Sequence, residues 1–239
     1  MPEVDRFRNW RALDLLTSAA VLITALVVIW PRVFGSSPSS SGLRSAPPLP
    51  TEPISIAGAP LKGSRAAAVA VIEFSEFQCP FSGRFWRDSL PDIAARYIDP
   101  GRVALVFRHL PLEAIHPFAF GAAAAATCAG EQGRFWEMHD RLFQDAKKLS
   151  PADLLSGAAA IGLSGDGFKS CLDGTVAANA IRADIEQAKK LQITGTPTFL
   201  VGVLKDEMVN VVKRIDGAKP ADKFAAELDE VLRSVATAR

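Results

Sequence analysis

Cys79 sits in the run Glu73-Phe74-Ser75-Glu76-Phe77-Gln78-Cys79-Pro80-Phe81-Ser82, and it is the residue most able to carry covalent chemistry in this chain. An apolar, β-rich stretch from Ala67 to Phe77 leads into it, and Pro80 suits the first turn of a helix. Cys79 therefore falls at a helix N-cap. There, unpaired backbone N–H groups and the positive end of the helix dipole favour thiolate over thiol, and a thiolate exchanges with disulfides. Ser82 limits what the exchange can achieve. A hydroxyl cannot attack a mixed disulfide, so an external thiol must release Cys79, which favours isomerisation or reduction over net dithiol oxidation. Ser82 can still donate a hydrogen bond to the sulfur; the alternative is a space-filling serine beside a redox-silent cysteine.

Glu73 interrupts the otherwise apolar run Ala68–Phe74. An unpaired buried carboxylate is costly, so it requires either a raised pKa or a dedicated partner, unless it is a strand-end group turned to water. Three cysteines make an odd set, for which one pair and one free thiol is the simplest arithmetic. Cys128 and Cys171 both lie in a helical block and are expected to form a structural disulfide; two buried free thiols are the alternative. Thr196-Pro197 lies between a glycine and an apolar strand, where an X-Pro bond can be cis. His109, His116 and His139 are scattered, and packing or capping accounts for each. No zinc-ligand spacing is present, and neither metal nor cofactor is expected.

The elements that must position these groups follow from pattern. Ile54–Gly58 alternates as an edge strand, Ala68–Phe74 reads as a central strand, and a helix from Cys79 runs to about Tyr97 with a kink or restart at Pro91. Asp99-Pro100-Gly101 turns into a strand at Val103–Phe107, completing a β-α-β unit. From His116 to about Leu172 three helices are expected, the third opened by Ser150-Pro151-Ala152-Asp153, and a further helix spans about Val176–Leu191. A hairpin of Thr198–Val201 and Val209–Ile215 and a terminal helix from Lys219 finish the chain.

The order strand, Cys79-Pro80-Phe81-Ser82, helix, and then distant Thr196-Pro197-Thr198 resembles the DsbA-type branch of the thioredoxin superfamily, from about Ile54 to the C-terminus. The resemblance implies an α/β thioredoxin-like fold with a central mixed sheet and a helical domain inserted at about residues 116–190, forming a wall beside the site. It implies a cis bond at Pro197 opposite Cys79, with the backbone of Thr196 free to pair with a substrate strand and Pro80 and Phe81 on the binding rim. It also implies a buried acid, at Glu73, that moves protons to and from Cys79. The sequence departs from the family where a second cysteine would stand at Ser82, and Phe81 replaces a histidine common there.

Residues 1–34 carry an uncharged apolar run, Leu15–Trp30, behind Arg6, Arg8 and Arg11, and are expected to form a signal-anchor that leaves the remainder outside the cytoplasm. A cleaved signal peptide is the rival. Residues 35–53, rich in Ser and Pro, read as a flexible tether, and residues 54–239 as the folded domain. The net charge of +1 gives no footprint for nucleic acid. The expected activity is that of a membrane-tethered, extracytoplasmic (periplasmic or external) monothiol oxidoreductase or isomerase acting on cysteine-containing exported proteins. It would be reset by an external thiol or a membrane redox partner. A redox-inactive peptide-binding or chaperone module and a glutathione-dependent transferase or isomerase are the alternatives.

Overall fold

A computed structural model describes residues 47–237. The anchor and most of the tether read from the sequence lie outside the described residues, among which no helix is long and apolar enough to cross a membrane. The described residues form a six-stranded sheet in the order β1-β6-β5-β3-β4-β2. The strands are β1 Ile54–Ser55, β2 Leu61–Lys62, β3 Val69–Ser75, β4 Val103–His109, β5 Thr198–Lys205 and β6 Met208–Asp216. β3 and β4 are parallel and every other pairing is antiparallel, which makes the sheet mixed.

β3 sits at the centre because its sequence allows nothing else. All seven of its residues are buried, and alternation sends them to two different cores. Val69 and Val71 face one layer, made by helix α1 (Pro80–Asp88), α2 (Leu90–Ile93, continued as a π-helical turn Ala94–Ile98) and the terminal α8 (Ala221–Thr237). There Phe85 of α1 lies 4.5 Å from Phe199 and 5.2 Å from Phe224, ring to ring. Ala70, Ile72 and Phe74 face the opposite layer, closed by Ala188 of α7 (Val176–Lys190).

The insertion comprises α3 (Ala119–Glu131), α4 (Phe135–Gln144), α5 (Pro151–Ala160) and α6 (Gly165–Asp173). Its small-residue helix α3 buries Ala122, Ala125, Ala126, Ala129 and Cys128 completely, in a cluster with Phe107, Phe135, Met138 and Phe168. Cys128 and Cys171 are joined by a disulfide, tying α3 to α6 across 43 residues of chain. At the start of α5, Ser150 and Asp153 form a reciprocal capping box.

The differences from the sequence reading have local causes. The restart expected at Pro91 is present, but the break itself falls earlier: the first helix ends at Asp88 and the second begins at Leu90, because Ser89 leaves helical geometry and turns its hydroxyl to the Lys219 carbonyl at 2.8 Å. Between Pro60 and Gly63, Leu61 and Lys62 pair with β4 as β2, too short for any periodicity to reveal. The insertion has α6 as an additional helix, signalled by Ser164, whose side chain accepts from Gly167 N–H. The hairpin strands extend to Lys205 and Asp216, with a register shift at Val201/Gly202.

Candidate active site

β3 ends at Ser75, and four residues later Cys79 occupies the N-cap of α1 with extended backbone angles and Pro80 in the first turn. The Thr196–Pro197 peptide bond is cis. That turn meets Cys79, whose thiol donates to the Thr196 carbonyl at 3.3 Å. Cys79 is the free cysteine of the described residues and is buried, only 5 % exposed. Phe81, two residues on, is 53 % exposed, with Arg84 stacked 5.1 Å above its ring, and Ile115 and Phe118 are further exposed apolar side chains.

Ser82 is fully buried one turn into α1, and its hydroxyl has no hydrogen-bond partner. No hydrogen bond joins Ser82 to the cysteine sulfur, which is engaged with the Thr196 carbonyl. Glu73 is also fully buried, in register between Phe107 of β4 and Phe199 of β5. Burial pushes its carboxyl up to about 8, with the nearby Ser75 hydroxyl pulling the other way. Neither Glu73 Oε2 nor Ser75 Oγ completes a hydrogen bond, so desolvation dominates and the acid is held neutral at moderate pH.

Sequence reasoning passed over Glu76 and gave His116 only a packing or capping role. Glu76 is buried three residues before Cys79; its Oε2 accepts from Gln78 N–H at 2.7 Å, and its Oε1 approaches His116 Nδ1 to 2.5 Å without completing a hydrogen bond. Burial raises the Glu76 carboxyl, opposed by the Gln78 amide and by His116. Gln78 in turn accepts from Phe118 N–H at 2.9 Å. Thus the loop that delivers Cys79 is fastened twice to the entrance of the insertion. A second acid inside the run before the cysteine was the available signal.

Behind the loop, Phe77 stacks on Phe107 at 5.5 Å and meets His139 edge-on at 5.8 Å. His109 and His139 belong to this aromatic layer as packing groups; burial drives His109 down to about 3 and also lowers His139. Among the described residues no cluster of three or more His, Cys, Asp or Glu could hold a metal.

A strand-borne buried acid, a cysteine capping the next helix and a cis-proline turn against its sulfur define a thioredoxin-type thiol site. The thioredoxin family model matches residues 57–216, and the chain belongs to that family, in its DsbA-type branch of thiol-disulfide oxidoreductases. Probable disulfide bond formation protein D of Bacillus anthracis is 30 % identical over 146 residues, covering 58 % of this chain and 67 % of the relative. The oxidised BdbD structure from Bacillus subtilis aligns with a TM-score of 0.67 at 25 % identity, over 79 % of this chain and all of BdbD. Higher identity, 41 % over 141 residues, is found with Na(+)/H(+) antiporter NhaA 3 of Salinispora tropica, covering 59 % of this chain. The chain spans about a fifth of that relative's length, since the match covers 21 % of it.

Proposed function

We propose that this chain is an extracytoplasmic monothiol thiol-disulfide oxidoreductase or isomerase that acts on cysteines of exported proteins through Cys79 and is tethered to the membrane by its N-terminal segment. The observation that carries the reading is a lone free thiol against the Thr196 carbonyl of a cis-proline turn, with Ser82 where a resolving thiol would be needed. Cys79 as thiolate attacks one sulfur of a client disulfide, forming a mixed disulfide and releasing the other client sulfur as thiolate. A second client thiol then attacks the client sulfur of that bond, gives up its proton and expels Cys79. The cycle exchanges one disulfide for another, with no net oxidation. If the second thiol comes from a small molecule, two such thiols supply the electrons that reduce the client. Glu73, held protonated by burial, is suited to exchanging protons with the site. Pro80, Phe81, Thr196 and Pro197 form the client-binding rim, and Thr196 offers backbone to an extended client segment.

The coverage of Cys79 together with the exposed Phe81 favours one other reading, a peptide-binding module without turnover. Recovery of activity by a scrambled-disulfide protein in a thiol buffer separates the two. The full chain is expected to accelerate recovery, and Cys79→Ser to lose at least about tenfold of that acceleration. Unchanged acceleration by Cys79→Ser would overturn the enzyme reading. For the tether, cell fractionation should recover the full chain with membranes, and a variant lacking residues 1–34 should not sediment with them.

A further inference from the structure

We propose that Glu76 and His116 are a positioning pair for Cys79: their contact bridges the loop that carries the cysteine and the entrance of the insertion, and it makes the sulfur's reactivity depend on the pair's protonation as well as its own. The inference rests on Cys79 being reactive, the premise of the preceding section, but it needs no client.

The geometry supports it at both ends of the contact. Glu76 is completely buried on the loop, and its Oε1 lies 2.5 Å from Nδ1 of His116, whose side chain keeps 18 % of its exposure. Among the described residues, His116 is the charged or titratable side chain that acts on Glu76, and the other group facing it is the Gln78 N–H. Gln78, the residue immediately before Cys79, is thus held from both sides: its N–H by Glu76 and its side-chain oxygen by Phe118 N–H. The His116 end is anchored too, since His116 N–H donates to the Leu112 carbonyl at 2.9 Å and its own carbonyl accepts from Ala119 N–H at 3.0 Å.

With one proton on the pair, either as carboxylate and imidazolium or as acid and neutral ring, the contact is attractive and Gln78 is fixed. When the proton leaves, a buried carboxylate faces a neutral ring, and when a second one binds, an imidazolium faces a neutral acid. In either case the contact weakens and the backbone presenting Cys79 is released. Burial raises the Glu76 carboxyl, which therefore keeps a proton to higher pH than an exposed acid would.

The test is the rate of Cys79 alkylation by iodoacetamide across about pH 5 to 9 in the full chain, where Cys128 and Cys171 are tied and do not compete. The unsubstituted protein is expected to show an inflection beyond that of the thiol itself. Glu76→Gln and His116→Asn should each lose it and change the rate at pH 7 by about threefold or more, and the double variant should match the singles instead of multiplying them. Single-variant profiles that superimpose on the parent after uniform scaling, or effects that multiply, overturn the proposal. Should Glu76→Gln melt at the temperature of assay, His116→Gln at the partly exposed partner decides alone. Loss of the inflection without any client turnover leaves the pair standing and removes the enzyme reading; turnover with an unaltered profile does the reverse.

Discussion

Ser82 and Glu73, the buried residues proposed to shape Cys79 chemistry, each make a specific prediction. Replacing Ser82, buried and without a hydrogen-bond partner, by cysteine removes an unsatisfied hydroxyl and supplies a resolving thiol in the same turn of helix. Ser82→Cys is expected to form a disulfide with Cys79 under mild oxidant, losing two thiol equivalents in a thiol titration, and to oxidise a reduced client stoichiometrically, which the parent should not do. Glu73 predicts a pH effect whose sign is set by burial. Its folded-state value of about 8 lies above its ordinary 4.5, so the folded chain retains a proton that the unfolded chain gives up. Stability therefore falls as pH rises from about 4.5 towards 8, on the order of 3–5 kcal/mol if nothing else titrates. Glu73→Gln should flatten that slope in urea midpoints and be the more stable protein at pH 8. His109 acts in the opposite sense. Held near 3 against an ordinary 6.5, it stays neutral in the fold while the unfolded chain protonates, so stability is lost as pH falls from about 6.5 towards 3. His109→Gln should weaken the acid-side slope in the same measurement.

The elements show where pattern succeeds and where it stops. β3, α7 and the start of α8 were legible, because long apolar periods and a proline cap leave few alternatives. β2 was not: it is two residues long, and its existence depends on β4 lying beside it. The contact between Glu76 and His116 joins residues forty positions apart on different elements, so no spacing within either element encodes it. The disulfide is a prediction at this scale. It closes 43 residues between α3 and α6, and its removal in Cys128→Ala/Cys171→Ala should cost about 4 kcal/mol in the chain-entropy account, read as a lower melting temperature. Gly202 supplies another. At the register shift in β5 an added Cβ would fall 2.2 Å from the Asn210 carbonyl oxygen, so Gly202→Ala should destabilise by about 1–3 kcal/mol, measured by denaturant unfolding.

At the level of the whole molecule, the alternation of strand and helix around one central strand was readable, and so was the placement of a helical block between β4 and β5. How the entrance of that block is fastened to the loop carrying Cys79 was not readable, since it depends on contacts such as Phe118 N–H to the Gln78 side-chain oxygen. The margins of the sheet carry one more consequence. β4 is paired by β2 at only two positions, and beyond them the Phe107 N–H is taken by the Pro60 carbonyl and the His109 N–H by the Asp184 carboxylate, itself bound to Arg108 at 2.8 Å. On the far side, most of β6 extends past β1 and presents Lys213, Arg214 and Asp216. Both margins are thus poor templates for a foreign strand. Under the proposed function, in which the chain meets clients before they have folded, such margins would keep it from being recruited into client aggregates or polymerising with its own copies.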